Sequence, residues 1–284
     1  MKSSIPFSTI TVNGLSIRVY QAGETGENLI LLHGGGVDSA LISWEDYLSE
    51  LSQHYRVYAP DLPGYGDSAI PNRIFDQDFY LNFLDQFMVT QNIERAHLAG
   101  LSLGGGISLG FALTHPEKVG KLILVDSYGI ISNYGWYHPL MYLYIHSPLN
   151  EFSLWLMKKN PQWIQQSLNA IIFDPQNITP DLAERTVQAT LMPEAGRAFR
   201  TYQRSEYRWR GVKSDYVPRL KALKIPTLIL HGDQDITIPV QWAQKAHSLI
   251  PNSRLVILKN RKHWALRDNP QEIIQIIEDF LSNK

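Results

Sequence analysis

Gly100-Leu101-Ser102-Leu103-Gly104 follows the apolar run His97–Ala99 and precedes a helical stretch through Leu113. A serine framed by two glycines, between a strand and a helix, reads as a sharp turn carrying its hydroxyl at the apex. Glycines suit the flanking positions because a Cβ at either would clash with neighbouring chain. The helix that begins beyond the serine directs its N-terminal N–H groups at the apex, where they favour developing negative charge. The competing reading is a glycine-rich turn that only packs tightly. The two are separated by what else the chain brings to the ends of its strands.

Working outward, the chain repeats short, near-continuous apolar runs at Leu29–Leu32, Val57–Ala59, His97–Ala99 and Leu122–Val125. Each is separated from the next by helical pattern or a glycine-rich turn. Strands buried on both faces read this way, and their alternation with helices predicts an α/β fold with a mostly parallel sheet. The first segment differs. Ile10 and Val12, an Asn13-Gly14 turn, then Leu15, Ile17 and Val19 spell an antiparallel hairpin. Helix spacing recurs at Phe79–Val89, Trp242–Leu249 and Ile273–Leu281, with strands at Thr227–Leu230 and Leu255–Leu258.

Between 129 and 217 the strand–helix rhythm stops. This stretch is rich in Tyr and Trp and reads as wholly helical. Thr179-Pro180 starts one helix, and Pro193 opens another bearing Arg197, Arg200, Arg204 and Arg208. The expected organisation is therefore a core of residues 1–128 and 218–284, with 129–217 inserted as a helical cap.

Composition narrows the chemistry. The 284 residues suit one large domain, and the formal net charge of −1 gives no reason to expect nucleic acid or an acidic membrane as partner. With no cysteine, disulfides, thiolate nucleophiles and zinc–cysteine sites are excluded. No convincing metal-ligand cluster is apparent. Gly104-Gly105-Gly106 fails as a dinucleotide loop because its third glycine would fall on Leu109. No cofactor is implied, and the expected partner is a small-molecule substrate. The segment after Met1 lacks an apolar core for a signal peptide, and Gly129–Met157 is too interrupted to span a membrane. A cytoplasmic monomer or small homo-oligomer is expected.

With the Ser102 turn in place, the chain resembles the α/β-hydrolase superfamily nearly end to end. His33-Gly34-Gly35-Gly36 resembles the oxyanion-hole motif of esterases and lipases, and Asp61-Leu62-Pro63-Gly64-Tyr65-Gly66-Asp67-Ser68 the loop after the next central strand. His231-Gly232-Asp233-Gln234-Asp235 resembles the acid loop, and His263 falls where the family keeps its histidine. The resemblance implies a Ser102–His263–Asp235 triad in the family's chain order, with Gly35 and Leu103 supplying backbone N–H groups to an oxyanion. Asp126, at the end of Leu122–Val125, stays open as an acid from a different strand. His33 and His231 read as braces for their glycine loops, and Asp61 and Asp67 as braces for theirs. One departure is Lys262, where many relatives carry glycine before the histidine.

The resemblance implies a serine hydrolase acting on an ester or similar carbonyl compound. A second reading comes from the His33–Gly36 loop, the Phe111–Lys121 stretch and Trp264, which look similar to carbon–carbon bond hydrolases of aromatic ring-fission products. On that reading Gly36 and Trp264 touch substrate, and Arg197, Arg200 or Arg204 holds its carboxylate; the competing reading of these arginines is a solvated helix face. Against it, Leu101 stands where those relatives commonly carry Asn. Haloalkane dehalogenases and epoxide hydrolases fit poorly, since both need aspartate at the Ser102 position. A slow-turnover ligand receptor on the same fold is the alternative from another class.

Overall fold

A computed structural model describes residues 5–283. The hairpin is formed by β1 (Phe7–Val12) and β2 (Leu15–Ala22), with Val12 paired to Leu15 across the turn. Asn13 and Gly14 both take positive φ, 49° and 77°, which a two-residue turn between twisted strands requires. Then follow β3 (Asn28–Leu32), α1 (Ala40–Leu51), β4 (Arg56–Pro60), α2 (Gln77–Thr90), β5 (Ala96–Leu101), α3 (Leu103–Thr114) and β6 (Val119–Val125).

The next segment holds α4 (His138–His146), α5 (Leu149–Lys159), α6 (Pro161–Ile171), α7 (Pro180–Leu191) and α8 (Arg197–Glu206). A ribbon of β7 (Tyr207–Arg208) and β8 (Gly211–Val212) closes it. The chain ends with β9 (Thr227–Gly232), α9 (Val240–Leu249), β10 (Ser253–Leu258) and α10 (Pro270–Ser282). Two expectations are corrected. The region from 129 to 217 is not wholly helical, because the chain after Glu206 turns into the ribbon, which carries Arg208 out of the helix. And α8 starts at Arg197 rather than Pro193, since Gly196 at φ 73° interrupts the helical path before it.

The main sheet has eight strands in the order β1-β2-β4-β3-β5-β6-β9-β10. The pairs β1–β2 and β2–β4 are antiparallel and all others parallel. Side chains alternate between two cores. Ile30 and Leu32 of β3 join the layer under α2 and α3, whereas Leu29 and Leu31 join that under α1 and α10. Each such fully buried side chain contributes about 1.5–3 kcal/mol, which is why both faces of the central strands read as continuous apolar runs. Chain order reverses around β3 and β5, and a parallel sheet opens its crevice there, beyond the carboxyl ends of the strands.

Candidate active site

Every sequence-predicted polar candidate except the arginines leaves the sheet at those carboxyl ends. Ser102 sits between β5 and α3 with φ 49° and ψ −110°, a conformation that side-chain-bearing residues rarely adopt. Neighbouring backbone determines it. The Ser102 N–H donates to the Val125 carbonyl at 2.9 Å, and its own carbonyl accepts from Gly106 and Tyr128, both at 3.0 Å. The turn tolerates nothing larger than glycine on either side. A Cβ on Gly100 would lie 2.3 Å from the Gly104 backbone, and one on Gly104 2.3 Å from the Leu32 carbonyl. Gly104→Ala is expected to destabilise the protein by about 1–3 kcal/mol or more through this backbone overlap. The check is a urea melt, and an unchanged midpoint would show the turn to be slack.

His263 lies in the loop after β10. Its Nδ1 is 2.8 Å from Asp235 Oδ2 and its Nε2 is 2.9 Å from Ser102 Oγ. A carboxylate only accepts, so Nδ1 carries the proton and Nε2 is free to accept from the serine hydroxyl. Burial alone would depress the His263 pKa, but the charge of Asp235 and the hydrogen bond to it lift it above the ordinary histidine value. Asp235 is itself held. Its Oδ1 accepts the N–H groups of Thr237 (2.7 Å) and Ile238 (2.9 Å), which aims Oδ2 at the imidazole.

Asp126 occupies a different place. It is fully buried at φ 43°, with Oδ1 accepting from Gly232 N–H (2.9 Å) and Oδ2 from Ala265 N–H (3.1 Å). It thus ties the end of β9 to the loop carrying His263. Burial, then the nearby charge of Asp235, pushes its carboxyl well above the usual range. Asp126, His231 and Asp235 come close enough together to suggest a cation site, a grouping the sequence does not reveal. Their chemistry is that of a hydrogen-bond network. The carboxylate oxygens are taken up by N–H groups, and His231 Nε2 donates to the Ile238 carbonyl at 2.8 Å.

The glycine loop after β3 is braced from below. His33 Nδ1 donates to the Gly34 carbonyl (2.8 Å) and Nε2 accepts from Leu62 N–H (3.0 Å), while burial lowers the His33 pKa to about 4. Burial thus favours the neutral ring in this brace. Sequence reading missed Asp38, which accepts from Gly34 N–H at 2.7 Å and from Ser43 Oγ at 2.6 Å, and so sets the loop's path. Asp61 accepts from Ala40 and Asp67 N–H groups, fastening the next loop to α1. The N–H groups of Gly35 and Leu103 meet no protein acceptor among the described residues. Lys262 does not point toward the serine. Its Nζ donates to the Asn169 carbonyl (2.6 Å), while Trp264 N–H donates to the Ile171 carbonyl (2.8 Å), so both neighbours of His263 are anchored to the end of α6.

Two cavities meet at Ser102. One, of about 340 Å³, is walled by Tyr128, Tyr134, Tyr137, Met141, Tyr202 and Tyr207. The other, of about 310 Å³, is walled by the glycine loop, Leu101, Leu168, Ile171, His263 and Trp264. Phe199 and Thr237, neither anticipated, border both. Gly36 and Trp264 are brought to the second cavity. Arg197 and Arg200 are brought to neither. Arg197 instead clamps the loop after β4, donating to the carbonyls of Ile70 (3.2 Å) and Pro71 (3.0 Å) and pairing with Glu194. Arg200 donates to the Ala195 carbonyl, and Arg204 pairs with Glu151. The period of α8 explains this: its arginines share one side, and Phe199, Tyr202 and Gln203 share the side facing the cavity. Phe199 lies so close over Gly35 that a Cβ there would be 2.4 Å from its ring. No Lys or Arg lines either cavity among the described residues.

The comparisons agree with this architecture. The chain is similar to the 2-hydroxymuconate semialdehyde hydrolase of Pseudomonas sp. (strain CF600), 27% identical over 96% of this chain and 93% of the relative. It is also similar to the 2-hydroxy-6-oxo-6-phenylhexa-2,4-dienoate hydrolase of Burkholderia cepacia, 29% identical over 98% and 96%. A meta-cleavage product hydrolase from Pseudomonas fluorescens superposes with a TM-score of 0.81 at 25% identity, covering 96% of this chain and 97% of that one. A membrane phospholipase A described as a bacterial virulence factor superposes with a TM-score of 0.78 at 28% identity, covering 97% and 85%. A family model described as alpha/beta hydrolase fold matches residues 27–270. The chain belongs to the α/β-hydrolase fold family and is a hydrolase.

Proposed function

We propose that this enzyme is a serine hydrolase cleaving neutral, largely apolar esters, with residues 129–217 acting as a cap over the site. Ser102 Oγ attacks the carbonyl carbon as His263 Nε2 takes its proton, and Asp235 keeps the imidazole in the required tautomer. The tetrahedral oxyanion is held by the N–H groups of Gly35 and Leu103. His263 then returns the proton to the departing alcohol, and a water activated by the same imidazole releases the acid. Two cavities meeting at the serine suit a substrate with an apolar group on each side of its carbonyl. The observation that most supports this reading is the serine–histidine–aspartate chain of hydrogen bonds at the junction of two cavities without a cationic wall.

Carbon–carbon bond cleavage is the second reading, and the names of the relatives favour it. Their substrates, as named, include a dienoate, whose carboxylate buried beside no cation would be poorly solvated. The phospholipase A relative favours an ester instead. A fluorophosphonate probe with peptide mapping, then kcat/KM on a neutral p-nitrophenyl ester and on 2-hydroxy-6-oxo-6-phenylhexa-2,4-dienoate, separates the readings. Label on Ser102 and preference for the neutral ester are expected. Preference for the dienoate would establish carbon–carbon cleavage, and labelling without multiple turnover would point to a receptor.

A further inference from the structure

Helix α4 is apolar on two sides. Its inner side contributes Met141 to the tyrosine-rich cavity, while Leu140, Leu143 and Tyr144, at helical spacing, stand exposed on the other. Trp136, 86% exposed, precedes this stripe and lies edge-on against Tyr137 of the cavity wall. Helix α5 repeats the pattern with Leu149, Phe152 and Leu156, and Trp155 stacks beside Phe152. The Tyr144 hydroxyl meets Ser153 Oγ at 2.7 Å, so the two stripes adjoin. A soluble monomer rarely exposes so many contiguous large apolar side chains without a partner for them.

The charges beside this surface identify the partner. Lys159 lies over the Trp155 ring, 5.3 Å from its centroid. At the tip of the β7–β8 ribbon, Arg208, Trp209 and Arg210 are exposed, and neither arginine forms an ion pair among the described residues. Trp209 packs edge-on against Tyr142 of α4, which ties the tip to that helix. The acid nearest this surface on α5, Glu151, is neutralised by Arg204 at 2.5 Å. Exposed tryptophans and leucines on a helix pair, with unpaired cations on it and on the ribbon tied to it, are the composition of an interfacial membrane contact. We propose that the outer faces of α4 and α5, with the Arg208–Arg210 tip, dock onto an anionic lipid bilayer. The net charge of −1, which argues against such a partner for the chain as a whole, conceals this local excess. No helix among the described residues is long and apolar enough to cross a membrane, so the contact is peripheral.

The proposal goes beyond the ester reading, and binding is measured independently of turnover. The full chain would be floated with vesicles of phosphatidylcholine alone and of phosphatidylcholine with phosphatidylglycerol. Binding is expected to the mixed vesicles, weakened by salt as surface electrostatics require. Leu143→Ser with Phe152→Ser should lower the partition about tenfold or more, given the apolar area removed. Arg208→Ala with Arg210→Ala should remove the preference for the anionic vesicles. These positions are exposed, and unchanged thermal melts and unchanged turnover of a short soluble ester would show the variants folded. Absence of binding to either vesicle, or binding indifferent to the double substitutions, would overturn the proposal. So would self-association in sedimentation that Leu143→Ser and Phe152→Ser abolish, since the surface would then join two copies of the chain. Vesicle binding without ester turnover would sustain the proposal and count only against the ester chemistry.

Discussion

Ser102→Ala is expected to lower kcat on every ester substrate by roughly 10⁶-fold while leaving the fold intact. The size follows from the cooperative nature of the unit. On the proposed mechanism, without Oγ His263 has no proton to take, and the remaining catalysis comes only from binding and the N–H groups of Gly35 and Leu103. His263→Ala should lose a similar factor, and the double variant little more, because each residue acts only through the other. Stability should hardly change. The strain at φ 49° belongs to the backbone and is sustained by the bonds to Val125, Gly106 and Tyr128, none of which uses the hydroxyl. Steady-state rates on a p-nitrophenyl ester, beside thermal melts, check both halves. Near-native turnover by Ser102→Ala would refute the proposed nucleophile.

The fold was legible because its signals are local. Apolar runs at Leu29–Leu32 and Leu122–Val125 are strands buried on both faces, and Asn13-Gly14 declares a hairpin through its own backbone preference. Helix α1 was equally legible yet unread. Trp44, Tyr47, Leu48 and Leu51 repeat at helical spacing behind a Ser39 cap, and all four are buried. Both ends of α8 depart from the arginine pattern, because Gly196 delays its start and the ribbon turn takes Arg208 out of it. The site divides similarly. Residues at strand ends can be located from the pattern of runs, whereas Ser102, Asp235 and His263 are named together through the resemblance of their loops to α/β-hydrolase motifs. Phe199, Thr237 and Asp38 could not be, since their importance arises from how distant segments fold over the crevice. Phe199 had one available signal, its place opposite the arginines on an amphipathic helix. A row of like charges at that spacing marks the face turned away from an apolar cavity.

Asp235→Asn should lower kcat by roughly 10⁴-fold, because an amide offers Nδ1 a donor as readily as an acceptor and allows the wrong tautomer. Asp126→Asn should remain within about tenfold of the native rate, since Asp126 bonds backbone and has no hydrogen bond to the imidazole. Its cost belongs to stability. One amide oxygen cannot replace the two carboxylate oxygens serving Gly232 and Ala265, and an unmade buried bond costs about 1–3 kcal/mol. The pH profile distinguishes the acids again. On the proposed mechanism turnover requires neutral His263, so a pKa raised above 6.5 places the acid limb of kcat/KM above that pH in the native enzyme. Removing Asp235 leaves burial, which lowers this pKa, without its main opponent. The limb of the residual activity should therefore move to lower pH in Asp235→Asn. It should move less in Asp126→Asn, because Asp235 supplies both the larger charge effect on His263 and the hydrogen bond to it. If Asp126→Asn gave both the larger loss and the larger displacement, the acid would belong at the end of β6, and Asp235 would be only the brace of its own loop.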